Sequence, residues 1–247
     1  MGNVTVTFIG SGDAFGSGGR FQTCIGIRTP DHFFLMDCGP SSLISMRQRG
    51  IAPGDVDAIF LTHLHGDHYG GVPFYILDAM FLQRRERPLI ITGPPGVEEA
   101  VRDTMDRLFK NSVQLCETVF PTFLELPPGG EISVEGATVQ GFEMDHPTGY
   151  DALSLKVKTA GRAIGFSGDG QWCPGIPAAA DGTDLFISEC YTYDMDVPYH
   201  NNYVTIQAHR DEINTRHLVL THMSDDMLAK QNESLWTCAE DGLEISL

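Results

Sequence analysis

The chain places three imidazoles and a carboxylate within the short run His63-Leu64-His65-Gly66-Asp67-His68, directly after the apolar segment Val56 to Leu61 and Thr62. No other feature restricts the fold so strongly. A regular strand would send His63 and His65 to one face but split Asp67 from His68, and a helix would spread all four around its circumference. The expectation is therefore a loop, with Gly66 supplying backbone freedom and Gly70-Gly71 allowing close approach before the next helix. Imidazole with carboxylate suits Zn²⁺, with Mn²⁺ or Fe²⁺ as alternatives, and donors this crowded serve two ions better than one. A histidine-rich surface loop or a single structural zinc is the plainer reading. It does not account for the matching ligand types that close later strands.

Around this run the N-terminal third alternates β-rich segments with glycine: Val4 to Ile9, Gln22 to Arg28, His32 to Met36 and Val56 to Leu61. The third of these ends in Asp37-Cys38-Gly39, a second polar cluster at a strand end. Helices are expected at Ser41 to Arg49, Val72 to Arg84, Val97 to Phe109 and Val204 to Asn214, the third opened by a Gly93-Pro94-Pro95-Gly96 turn. Further strands are expected near Glu131 to Val134, Thr138 to Glu143, Ala152 to Thr159, Ala163 to Ser167, Leu185 to Ser188 and His217 to Leu220. Asp169, Glu189 and His222 each follow one of them closely. Two strand-rich halves with interleaved helices predict an α/β chain of αββα type, two mixed sheets packed face to face with helices on the outer faces. No linker or internal repeat divides it, so 1–247 reads as one domain. Val72 to Leu82 leaves little polar face, which predicts a deeply buried helix or one covered by a second subunit; with the family resemblance given below, it is the basis for expecting a homodimer.

The pattern H-x-H-x-D-H at the end of an apolar strand resembles the metallo-β-lactamase superfamily. That resemblance implies the metallo-β-lactamase fold and a dinuclear site: His63, His65 and His146 on one metal, Asp67, His68 and His222 on the other, and Asp169 bridging. Ile9-Gly10-Ser11-Gly12 with Arg20, the stretch Leu89 to Gly96, and Thr221-His222-Met223-Ser224 resemble the ribonuclease Z branch and its phosphodiesterase relatives. In that branch a glutamate after a strand and a histidine before a helix form a pair that supports the metal ligands or donates a proton, and Glu189 and His200 match it in order. The match is partial, since Cys190-Tyr191 and Asn201-Asn202 stand where the branch has Ala-Thr and Ser-Thr.

Two divalent ions lower the pKa of a shared water from about 15.7 toward neutrality and steady the attacking and leaving oxygens. By resemblance Asp67 orients that water, and His200, held by Glu189, protonates the leaving alkoxide. Trp172, Tyr191 and Tyr193 could stack on a planar leaving group or simply close the core. His32, His209 and His217 read as structural or solvated.

Substrate class follows from charge. A net charge of −17 and a pI near 4.7 repel polyanions. The 16 Lys and Arg form no dense block, and the segment from His146 to Asp169 has no room for the basic arm that grips transfer RNA in ribonuclease Z. The preferred substrate is a small anionic ester, a phosphodiester such as a cyclic nucleotide, with nucleic acid disfavoured. Ribonuclease Z-type transfer RNA processing, hydrolysis of a carboxylic ester, sulfate ester or lactone, and a non-catalytic metal-binding sensor are the alternatives. Six cysteines without C-x-x-C spacing predict reduced thiols. With no secretory signal or membrane-spanning run, the expected location is the cytoplasm.

Overall fold

The computed structural model describes residues 3–117 and 120–247. Its strands are β1 (Thr5–Gly10), β2 (Cys24–Arg28), β3 (Phe33–Met36), β4 (Ala58–Phe60), β5 (Ile90–Gly93), β6 (Thr122–Glu125), β7 (Glu131–Val134), β8 (Ala137–Glu143), β9 (Leu153–Thr159), β10 (Arg162–Phe166), β11 (Leu185–Glu189), β12 (Leu218–Thr221), β13 (Thr237–Cys238) and β14 (Glu244–Ser246). They form two sheets, ordered β14-β1-β2-β3-β4-β5-β6 and β13-β12-β11-β10-β9-β8-β7. Both are mixed: β3 to β6 and β10 to β13 pair in parallel, the remainder antiparallel.

Strict alternation in the strands separates an inner from an outer layer. Val6, Phe8, Phe34, Met36 and Phe60 of the first sheet meet Leu155, Val157, Ile164, Phe166 and Ile187 of the second in one core between the sheets. The residues between them, Ile9, Leu35 and Ile59, point the other way. They pack under α1 (Ser42–Gln48), α3 (Val72–Asp78) and α4 (Val97–Leu108), which follow and flank the short α2 (Gly66–Tyr69). On the far side Phe186 and Leu220 are covered by α6 (Gly175–Ala180), α7 (Tyr203–Ala208) and α8 (Asp225–Ala229), with α5 (Ser112–Leu115) trailing α4. This is the αββα sandwich expected from the two strand-rich halves. None of the described helices is long and apolar enough to cross a membrane.

Parallel order decides where the site lies. The carboxyl ends of β3, β4, β10, β11 and β12 share one rim of the sandwich, where ligands bind in open parallel sheets.

Three expectations need correction. Strands β5 and β6 and the edges β13 and β14 do not stand out in the sequence, because short strands at a sheet's flank lack a long periodic run. The helix expected over Val72 to Arg84 is regular only to Asp78; Ala79–Gln83 widens into a π-turn that stops at Arg84, in the left-handed region with φ 50°. Of the two readings of this segment, full burial does not hold. Val72, Tyr75, Ile76 and Ala79 are buried, whereas Phe81 and Leu82 are 58% and 71% exposed.

Candidate metal centre

His63 and His65 lie in the segment that follows β4, and His65, in extended backbone, caps α2, whose first turn carries Asp67 and His68. The expected loop therefore covers only half of the run: the segment after β4 delivers His63 and His65, and a helical turn delivers Asp67 and His68. Gly66 begins that turn with open space around it. Gly71 is the glycine the geometry requires, because a Cβ there would sit 2.2 Å from the carbonyl oxygen of Gly39.

All seven expected ligands converge on the rim. The rings of His63, His65 and His146 form a triangle with centroids 4.7 to 5.0 Å apart, and Nε2 of His146 lies 3.0 Å from Nδ1 of His65. Beside it, Nε2 of His68 stands 3.4 Å from Asp67 and 3.2 Å from Asp169, and Nε2 of His222 is 3.2 Å from the other oxygen of Asp169. Asp169 thus faces both halves of the cluster. One donor atom from each of His63, His65 and His146 lies within 4.8 Å of the others, and the same holds for Asp67, His68, Asp169 and His222.

Hydrogen bonds select which nitrogen of each ring faces inward. Asp37, buried at the end of β3, accepts from the Thr62 backbone N–H and hydroxyl at 2.8 Å each and from Nδ1–H of His68 at 2.6 Å. With its proton committed to Asp37, the Thr62 oxygen accepts from Nδ1–H of His63 at 3.0 Å. His146 donates Nδ1–H to the Tyr199 carbonyl at 2.9 Å, and His222 donates Nδ1–H to the Thr23 hydroxyl at 3.2 Å. His63, His68 and His222 are left with Nε2 facing the centre, while Nε2 of His146 faces Nδ1 of His65. Nε2 of His63, Nε2 of His68 and Oδ1 of Asp169 are buried without a hydrogen-bond partner. Three orphaned polar atoms aimed at one space are costly unless a cation fills it, so the donor set fits divalent ions.

Electrostatics agree. Burial, aided by neighbouring imidazoles, holds His63 and His65 below the ordinary histidine range, and burial lowers His146 to about 4, so all three offer lone pairs at neutral pH. His68 behaves oppositely. Burial works against its charge, yet Asp169, Asp67 and Asp37 hold its pKa well above the usual value. Burial likewise opposes the charge on Asp67 and Asp169, and nearby His68 and His222 more than offset it.

His200 and Glu189 are also brought in. The His200 ring packs 5.1 Å from His146, and its Nδ1 is hydrogen-bonded to Glu189, whose second oxygen accepts from the Gly170 backbone at 2.8 Å. Burial raises the pKa of Glu189, and Asp169 adds to this; burial opposes the charge on His200, but Glu189 raises it overall. Of the aromatic candidates only Tyr191 reaches the cluster, 4.9 Å from His200 and 6.3 Å from His222. Tyr193 stacks on Tyr203, and Trp172 stacks on His209. His32 packs on Phe34 beside Asp57, a structural role as expected.

Sequence reasoning assigned no role to Asp37, Thr62, Thr23 or the Tyr199 carbonyl. Only Asp37 left a signal, as an acid at a strand end. Asp37 and His222 adopt φ of 60° and 59°, a left-handed backbone that non-glycine residues rarely take and that aims both side chains inward.

Comparison with known proteins narrows the relationship. The family model described as anti-Pycsar protein Apyc1 matches residues 4–238. The chain belongs to that family. This Apyc1-family chain is 47% identical over 96 residues to a ribonuclease Z of Methanothermobacter thermautotrophicus, covering 39% of the chain and 31% of that protein. It is 31% identical over 163 residues to the ribonuclease Z of Pyrococcus abyssi, covering 66% and 50%. The matched parts thus span about a third to a half of the length of these relatives. The metallo-β-lactamase fold protein YhfI of Bacillus subtilis superimposes with a TM-score of 0.77 at 21% identity, covering 99% of the Apyc1-family chain and 100% of YhfI. The superfamily read from the histidine motif, on its ribonuclease Z side, is therefore correct.

Proposed function

We propose that this chain is a single-domain, dinuclear metal-dependent phosphodiesterase that hydrolyses a small anionic ester such as a cyclic nucleotide. The observation that carries the reading is the convergence of orphaned, inward-facing donors on one buried space with a carboxylate-bound histidine at its edge. His63, His65 and His146 would hold one ion, Asp67, His68 and His222 the other, with Asp169 between them. When bound, Zn²⁺, Mn²⁺ or Fe²⁺ supplies Lewis-acid activation of water and of phosphoryl oxygens.

The chain's own groups do the rest. Asp67 is half-buried and kept ionised by His68 and His222, so one carboxylate oxygen remains to orient and deprotonate the attacking water. His200 carries the proton that the leaving oxygen takes up. Glu189 fixes the tautomer and orientation of that ring and stabilises its charged form. Tyr191 stands against the same ring, where its phenol can contact the leaving group.

A small substrate is favoured over transfer RNA because the net charge of −17 opposes a polyanion, whereas the ions create a local positive field sufficient for one phosphodiester. Exposed Phe81 and Leu82 at the end of the π-turn support a homodimer, and the absence of disulfides among six free cysteines suits the cytoplasm. Turnover of bis-p-nitrophenyl phosphate by the zinc- or manganese-loaded protein, abolished in Asp67→Ala, tests the reading. Inertness toward phosphodiesters, sulfate esters and lactones alike would instead make the chain a sensor. Cleavage of precursor transfer RNA at low salt would favour the ribonuclease alternative.

A further inference from the structure

Glu189 and His200 belong to a second constellation. One donor atom from each of Asp169, Glu189, His200 and His222 lies within 4.8 Å of every other, and the set shares Asp169 and His222 with the group formed by Asp67 and His68. Nδ1 of His222 is engaged by the Thr23 hydroxyl, so Nε2 is its one lone pair for an ion, and one lone pair serves one ion. The two groups cannot both be complete at the same time.

We infer that the second ion has two mutually exclusive seats, and that it passes between them by exchanging Asp67 and His68 for Glu189 and His200. The inference rests on the dinuclear reading above. Each seat offers two imidazoles and two carboxylates, so neither selects a different metal by ligand type. Glu189 and Asp169 are both buried, and a cation between them relieves the repulsion of two buried like charges. The alternative seat draws on both members of a hydrogen-bonded pair, His200 and Glu189, which makes it the weaker one. The ordinary seat keeps the bond from His68 to Asp37 intact.

The consequence is a loaded but silent protein. An imidazole whose lone pair is held by a cation has no imidazolium proton to deliver, so an ion in the alternative seat disables the proton donor while Asp67 swings free. The same residues would then catalyse or arrest the reaction according to which pair holds the ion.

Stoichiometry with Co²⁺ tests this, using equilibrium dialysis and the visible absorption of the bound ion. His68→Ala removes a ligand of the ordinary seat only, so it should still bind two equivalents, with an altered second-ion spectrum. His68→Ala combined with His200→Ala should bind one. A single equivalent in His68→Ala would overturn the inference while leaving the dinuclear reading intact, provided the unmodified protein binds two. If His68→Ala does not fold, anomalous scattering from Co²⁺-loaded crystals of the unmodified protein decides. Second-ion density divided between the two seats supports the inference, and density at Asp67 and His68 alone overturns it. Failure of the unmodified protein to bind Co²⁺ would defeat the dinuclear reading itself.

Discussion

Nδ1 of His68 lies 2.6 Å from Oδ2 of Asp37, with both side chains fully buried and the two residues brought together from the end of β3 and the helical turn α2. The contact orients the ring so that Nε2 faces the centre. It also puts a negative charge behind the imidazole, which would strengthen the hold of Nε2 on a cation.

Asp37→Asn keeps the shape and tolerates the left-handed backbone but removes that charge. Affinity for one of two Zn²⁺ equivalents should fall roughly 10- to 100-fold, the usual cost of losing such a partner. Competition with a chromophoric chelator measures it, and two unchanged equivalents would contradict the role given to Asp37.

His200→Ala should matter in proportion to how much the leaving group needs a proton. For an alkoxide leaving group kcat should drop roughly 10²- to 10⁴-fold with KM little changed, and for p-nitrophenolate much less. Glu189→Gln should follow the same pattern more weakly. Equal losses on both substrates would point to a structural role for the pair.

His146 links folding to pH. Burial lowers its pKa to about 4 from the ordinary 6.5, so between these values the unfolded chain binds more protons than the folded one. Stability from this group is then present above pH 6.5 and is lost as pH falls toward 4. In the metal-free protein, the stability advantage of the unmodified chain over His146→Ala should shrink between pH 7 and pH 4. The expected change is about 2 kcal/mol, after allowing for screening by solvent. Urea denaturation at the two pH values reports it, and a constant difference would refute the assignment.

Gly39 sits under the turn that carries Asp67. A Cβ there would stand 2.4 Å from the Asp67 carbonyl oxygen and 2.7 Å from Cβ of Gln22. Gly39→Ala should therefore cost about 1–3 kcal/mol and displace Asp67. Calorimetry should show a lower melting temperature, and metal titration a weakened second equivalent. Unperturbed metal binding at normal stability would mean the turn can shift freely.

Much of the fold was legible along the chain because inner and outer layers are written in strand alternation. Phe34 and Met36 face one way and Leu35 the other, and the same holds for Phe60 against Ile59. Edge strands such as Thr122–Glu125 and Glu244–Ser246 are short and half-exposed, so they carry no comparable pattern. The candidate donors were legible too, in the His63 to His68 run and in the imidazoles and carboxylates that follow later strands, Asp169 after β10 and His222 after β12.

What the sequence determined by itself, then, is the chemistry on offer: which imidazoles and carboxylates stand at strand ends, and in what order. Tertiary structure decided which atom of each one faces the centre. That choice depends on partners remote in the chain, Asp37 for His68, Thr23 for His222 and the Tyr199 carbonyl for His146. A hydrogen bond acts over about 3 Å and is blind to sequence separation, so only the folded arrangement of strands can bring these pairs into contact.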